Sequence, residues 1–226
     1  MDREEKPILP FHGISIDRQL DILKAFCVYY DKYGKPASYK DIAPLVGLHP
    51  TKVSACLKFW KSVGLLDKKG GDYAPTEKAV EFARRREWKD DAGAWAVFRS
   101  AVGHSWFMEH AATFFRMKEN ATEENLVVSL GSVSGIAQGD KATIGSLKSV
   151  VRLLELCGMI TKSNENSYRA NREAIEGLET KVEIPDDKHL VQVIIGEEMF
   201  AVDAKELQAF VKEKGHRVDK RVQRIG

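Results

Sequence analysis

The chain has 226 residues, 43% hydrophobic and 30% charged, the balance of a globular protein. Net charge is only +2, so any surface for a polyanion must be a local patch. No apolar run approaches the ~18 residues of a membrane helix, and the start, MDREEKPILPFHG, is acidic and lacks the apolar core of a secretion signal. Cys27, Cys56 and Cys157 sit in apolar contexts without a CxxC pair. That pattern predicts buried free thiols in a reducing cytoplasm and no metal site.

Residues 1–15 contain prolines and charges and are expected to form a loose arm. A helix is predicted from Ile16–Asp17 to about Lys32, with Leu20, Leu23, Phe26 and Cys27 on one face. Tyr33-Gly34-Lys35-Pro36 ends it. Ser38 starts a short second helix; with Asp41 it has capping-box spacing, Asp replacing the usual Glu or Gln. Pro44 falls inside this helix and Gly47 closes it in a left-handed turn. Pro50 suits the first position of a third helix that carries Val53, Cys56, Leu57, Trp60 and Val63 on one face and stops at Gly64. Two short strands, 65–68 and 72–74, flank Lys69-Gly70-Gly71, whose glycines supply hairpin geometry. A closing helix from Thr76–Glu77 ends in Arg84-Arg85-Arg86.

DIAPLVGLHPTKVSACLKFWKSVGLL with its hairpin resembles the winged helix-turn-helix superfamily of transcription regulators found in archaea and bacteria. The resemblance covers roughly residues 17–86. It implies a helix offered to the DNA major groove and a wing offered to the backbone.

The chain also resembles itself 94 residues further on. Leu57 to Leu66 overlies Val151 to Ile160, Gly64 falls on Gly158, and the same register puts Ile42-Ala43 over Ile136-Ala137. One extra residue in the second wing, 160–168, then aligns Tyr73 with Tyr168. Two copies of one unit are expected, although Gly131, Gly135 and Gly139 make the Ser132–Lys141 region a poor helix former. Between the copies, Ala92–Lys118 reads as one long aromatic helix or a helix pair. Val97, Ala101, Met108, Ala111 and Phe115 line one face; Trp95, Phe98, Val102 and Trp106 line another. Such a segment must be covered from two sides, between the two units, in a homodimer interface, or both. From Thr180 a separate module is expected: strands 190–195 and 199–202, a helix from Asp203 to Lys214, and a basic tail, His216–Gly226, that could meet a protein partner.

The fold expected is mainly α with small β wings (α+β): tandem winged helix-turn-helix units joined by the aromatic segment, plus the C-terminal β-hairpin–helix module. The domains expected are an arm at 1–15, a first unit at 16–88, a linker with a second unit at 89–179, and the module at 180–226.

By the resemblance, His49, Thr51, Lys52, Ser54, Ala55 and Lys58 face the groove, with Lys68, Lys69 and Gly70 at the wing tip. None is Arg, the commonest guanine reader, which implies modest or water-mediated specificity. From Ser38 to Gly70 six lysines face only Asp41 and Asp67, whereas the second copy, through Glu173, balances six cations with six acids. The first copy is therefore the better candidate for double-stranded DNA. Arg84 and Arg85 are phosphate candidates, but cations at a helix C-terminus equally serve its dipole.

Gly135–Thr143 lacks P-loop spacing, and no H-E-x-x-H or G-x-S-x-G run occurs. The expectation is therefore no enzyme, no cofactor, no metal and no membrane partner: a cytoplasmic DNA-binding regulator. The rival reading is a tandem winged-helix scaffold that assembles proteins in transcription, chromosome or membrane-remodelling machinery without touching DNA.

Overall fold

The computed structural model describes residues 7–135, 140–164, 167–176, 190–195 and 198–203. It divides into two compact units, Met1–Glu179 and Thr180–Gly226.

The larger unit begins with α1 (Ile16–Tyr33), α2 (Tyr39–Val46) and α3 (Pro50–Ser62), followed by the hairpin β1 (Leu66–Lys69) and β2 (Asp72–Pro75) and then α4 (Glu77–Glu87). Local signals set these boundaries. Ser15 caps α1 by accepting from the Arg18 N–H. At α2 the capping box forms in full: Ser38 Oγ accepts from the Asp41 N–H, and the Asp41 carboxylate accepts from the Ser38 N–H at 2.9 Å. Pro44 is held inside α2, and left-handed Gly47 closes it. The core face of α1 is Ile16, Gln19, Ile22, Leu23, Phe26 and Cys27, with Leu20 only half-buried. Helix α3 buries Val53, Cys56, Leu57, Phe59 and Trp60. Ala37 bridges Tyr73, a one-residue third strand beside the hairpin that composition did not predict.

The aromatic segment is a helix pair, α5 (Asp91–Val102) and α6 (Trp106–Met117). The break at 103–105 resets the helical phase. The buried aromatics therefore include Phe107 and Phe114, which the single-helix stripes omit, while Trp95 and Trp106 are only half-buried. Phe59 of α3 meets Phe107 of α6 at 6.1 Å between ring centroids, so the segment packs against α3 within one chain.

Beyond it run β3 (Asn120–Thr122), α7 (Glu123–Val133), α8 (Lys141–Leu156), β4 (Ile160–Asn164), β5 (Ser167–Ala170) and α9 (Arg172–Glu176), with strand order β3-β5-β4. From α6 to α9 the elements come in the same order as from α1 to α4. Ala121 pairs with Tyr168 as Ala37 does with Tyr73. Helices α3 and α8 end alike. Gly64 and Gly158 have φ of 72° and 74°, and the following N–H groups reach back to Trp60 and Leu154, both at 2.9 Å.

The helix before α8 is α7: Leu126 lies four residues after its cap Thr122, as Ile42 does after its cap Ser38. The register that puts Ile42-Ala43 over Ile136-Ala137 falls outside the described residues, as do residues 165–166.

The arm is not loose from residue 7 onward. Pro10 is buried, and Leu9, Phe11 and Ile14 pack against the core. The reason is chemical: Leu9-Pro10-Phe11 is an apolar run that buries its surface.

In the smaller unit β6 (Leu190–Ile195) pairs antiparallel with β7 (Glu198–Asp203), Val193 opposite Phe200. Asp203 ends the strand; the helix expected to Lys214 and the basic tail lie outside the described residues.

Candidate nucleic-acid interface

Helix α3 is amphipathic in an all-or-none way. Val53, Cys56, Leu57, Phe59 and Trp60 are each at most 1% exposed, and this anchors the cylinder. Its opposite flank carries Thr51, Lys52, Ser54, Ala55, Lys58 and Lys61, all exposed. His49 caps the helix: its Nδ1 accepts from the Thr51 N–H at 3.4 Å and lies 2.8 Å from Thr51 Oγ1. With Nδ1 so committed, Nε2 is the ring nitrogen left to a ligand.

Lys68 and Lys69 stand exposed on β1, opposite Tyr73 and Asp72, and Gly70 turns the tip with φ of 65°. Among the described residues, Lys40, Lys52, Lys58, Lys61, Lys68 and Lys69 make no ion pair. Their charge is uncompensated at short range and available to an anion.

One further residue belongs to this surface. Tyr39, the first residue of α2, shares a shallow open depression with Thr51, Ser54, Ala55 and Lys58. Sequence reasoning missed it because its place depends on how α2 crosses α3. Its position directly after the Ser38 cap was the available signal.

The two arginine candidates differ in kind from the lysines. Arg84 donates to Asp31 on α1 at 2.9 Å, and Arg85 bonds Glu81 and Asp90 at 2.8 and 2.9 Å. The Gly93 N–H and then Arg85 hold the Asp90 carboxyl below the ordinary carboxylate range. Both guanidiniums are thus ion-paired within the chain and still at least partly exposed, unlike the lysines, which make no such pair among the described residues.

The corresponding flank of α8 is built otherwise. At the 94-residue offset, Thr51, Lys52 and Lys58 correspond to Gly145, Ser146 and Arg152. Ser146 is 5% exposed and donates to the Pro10 carbonyl at 2.6 Å. A Cβ on Gly145 would lie 3.4 Å from that of His12. Arg152 pairs with Glu155 at 2.8 Å and lies 3.7 Å from Asp17. The arm and α1 thus lie where an open face would be needed.

All three thiols are buried. Burial pushes Cys27 and Cys56 up to about 12 and Cys157 to about 11, so none is a thiolate near neutrality. Among the described residues no group of three or more His, Cys, Asp or Glu is placed to hold a metal, and no helix is long and apolar enough to cross a membrane.

A comparison with protein families matches residues 16–88 to the winged helix-turn-helix DNA-binding domain of the transcription repressor HrcA. No curated protein and no solved structure gives a significant match. The matched segment spans α1 to the end of α4, the elements that build the lysine-bearing surface. With helix order, hairpin and family match in agreement, residues 16–88 form a winged helix-turn-helix domain similar to that of the repressor.

Proposed function

We propose that the protein is a transcription regulator that binds duplex DNA, with α3 entering the major groove and the β1–β2 hairpin lying along the backbone. The observation that carries the reading is the open flank of α3, where Thr51, Lys52, Ser54, Ala55 and Lys58 stand exposed beside a lysine-bearing hairpin. His49, Thr51 and Ser54, at the helix start, are the base-edge candidates, and Lys52, Lys58, Lys68 and Lys69 the phosphate contacts. Tyr39 borders the same depression and would rest against sugar and phosphate.

The matching element order, the paired Ala–Tyr bridges and the like helix ends support reading residues 106–176 as a second winged helix, so the chain would be a tandem. We assign this second unit to packing. We assign the protein no catalysis of its own. The homodimer proposal no longer needs the aromatic helices, since α5 and α6 bury their apolar faces within one chain.

The test is binding of the purified chain to random duplex DNA across a salt series. A log–log slope close to −0.9 per phosphate contact is expected, becoming shallower in Lys52→Glu plus Lys58→Glu. No binding at low salt, or an unchanged slope in the double variant, would transfer the protein to the scaffold reading.

A further inference from the structure

The sharpest anomaly in the second unit is what covers α8. At Gly145 and Ser146 its flank is covered by the chain's own arm, through His12 and Pro10, while Ile144, Lys148 and Arg152 beside them stay exposed. We propose that α8 is a peptide-docking surface whose ligand is the N-terminal arm, so that the second unit binds its own chain where the first binds a partner.

Four observations meet here. The first is the 2.6 Å bond from Ser146 Oγ to the Pro10 carbonyl; both residues are buried and they lie 136 positions apart. A serine can donate to a backbone carbonyl at that depth, and a lysine at the same place could not stay charged without a partner. The second is Gly145 against His12: a Cβ at 145 would already lie 3.4 Å from that of His12. The third is Gln19, fully buried on α1, whose Nε2 donates to the carbonyls of Phe11 at 2.8 Å and Ile14 at 3.1 Å. Holding two carbonyls with one amide fixes the course of the arm. The fourth lies inside the arm. The Phe11 ring covers Gly13 so closely that a Cβ there would overlap it. A segment shaped by its own ring and glycine, and held by side chains from two helices, is a ligand with a site.

The site accepts an apolar, proline-containing segment through its backbone carbonyls. Because the arm runs directly into α1, its docking also ties the DNA-reading domain to the second unit. The contact itself is independent of whether α3 binds DNA.

Hydrogen–deuterium exchange on the full chain tests this with two variants. Ser146→Arg fills the seat from the α8 side; Gly13→Val displaces the Phe11 ring from the arm side, without touching α8. Wild type should show protected amides in the first half of α8 and in the first turns of α1 from Arg18 onward, the two helices that hold the arm. Each variant should exchange at least tenfold faster in both segments, with α3 and the β1–β2 hairpin unchanged. No acceleration in either segment in Gly13→Val, or acceleration of α8 alone in Ser146→Arg, would overturn the proposal. The salt slope on duplex DNA supplies a second readout. It should be the same in wild type and variants; a steeper slope in both variants would identify α8 as a covered DNA reader and would overturn it too. If the wild type does not bind DNA at all, the functional proposal fails while the exchange result still decides this one.

Discussion

Helices α3 and α8 follow the same sequence of elements and end in the same glycine turn, yet they face different worlds. On α3 the positions away from the core are Thr51, Lys52 and Lys58, exposed and without an ion pair among the described residues. On α8 they are Gly145, Ser146 and Arg152: one small enough to admit the arm, one bonded to it, one paired to Asp17 and Glu155. The buried sides stayed equivalent, Trp60 against Leu154 and Cys56 against Val150, all 0% exposed. A helix can therefore keep its core face and change its occupation by trading three outward residues. Folding constrains one face and binding the other.

The comparison breaks first if the two cores are not equivalent. Trp60→Ala and Leu154→Ala each leave a cavity in a filled interior and should cost about 3–5 and about 2–5 kcal/mol respectively, read by urea denaturation. A cost under 1 kcal/mol for Leu154→Ala would mean the second unit is not packed around α8 as the first is around α3.

It sharpens on charge. Lys52→Glu plus Lys58→Glu should lower duplex affinity roughly tenfold or more and flatten the salt slope by about 0.9 per lost contact, while Lys148→Glu on α8 changes neither. Equal losses from both helices in a filter-binding titration would erase the asymmetry.

Smaller still is the difference between the caps of α2 and α7. Ser38 and Thr122 each accept from an N–H three residues on, but only Ser38 belongs to a reciprocal box. Ser38→Ala should cost about 1 kcal/mol and Thr122→Ala somewhat less, visible as a shift in thermal midpoint.

The smallest effect is on acid stability. The hydroxyl and backbone N–H of Ser38 hold the Asp41 carboxyl below its ordinary 3.8. A carboxyl depressed in the folded state stabilises fully above its unfolded value, and that stability fades as pH falls through the folded one. Ser38→Ala should therefore raise the Asp41 titration toward 3.8 in a carbon-13 NMR series and remove a small part of the stability lost below about pH 4. An unmoved titration would mean the capping box does not persist in solution.

These contrasts also explain what could be read beforehand. Residues 16–88 were legible because each boundary has a short-range cause: Ser38, Gly47, Pro50, Gly64 and Gly70 act on their immediate neighbours. The segment from Leu147 to Ile160 was legible by the same rules. Upstream of it, one fixed offset cannot follow the lengths observed: helix α7 is three residues longer than α2, the connection before α8 is four longer, and α8 starts three residues earlier. The open flank of α3 was readable from helical period alone. The partners of Arg84 and the seat of the arm were not, because Asp31 lies 53 positions from Arg84 and Ser146 136 from Pro10, and only tertiary packing brings them together.

The turn from α4 to α5 bears on how force would travel through the molecule. Asp90 N–H reaches the Arg85 carbonyl at 2.9 Å, and Lys89 N–H reaches that of Arg86 at 3.2 Å. This is the closure used after α3 and α8, but the left-handed residue, at φ of 61°, is a lysine. A lysine there costs about 1 kcal/mol relative to glycine and has far fewer backbone conformations to escape into. The elbow is therefore stiff where a glycine would have made a hinge. A twist applied to the winged domain at a duplex would be passed into α5 as leverage, rather than dissipated at the joint.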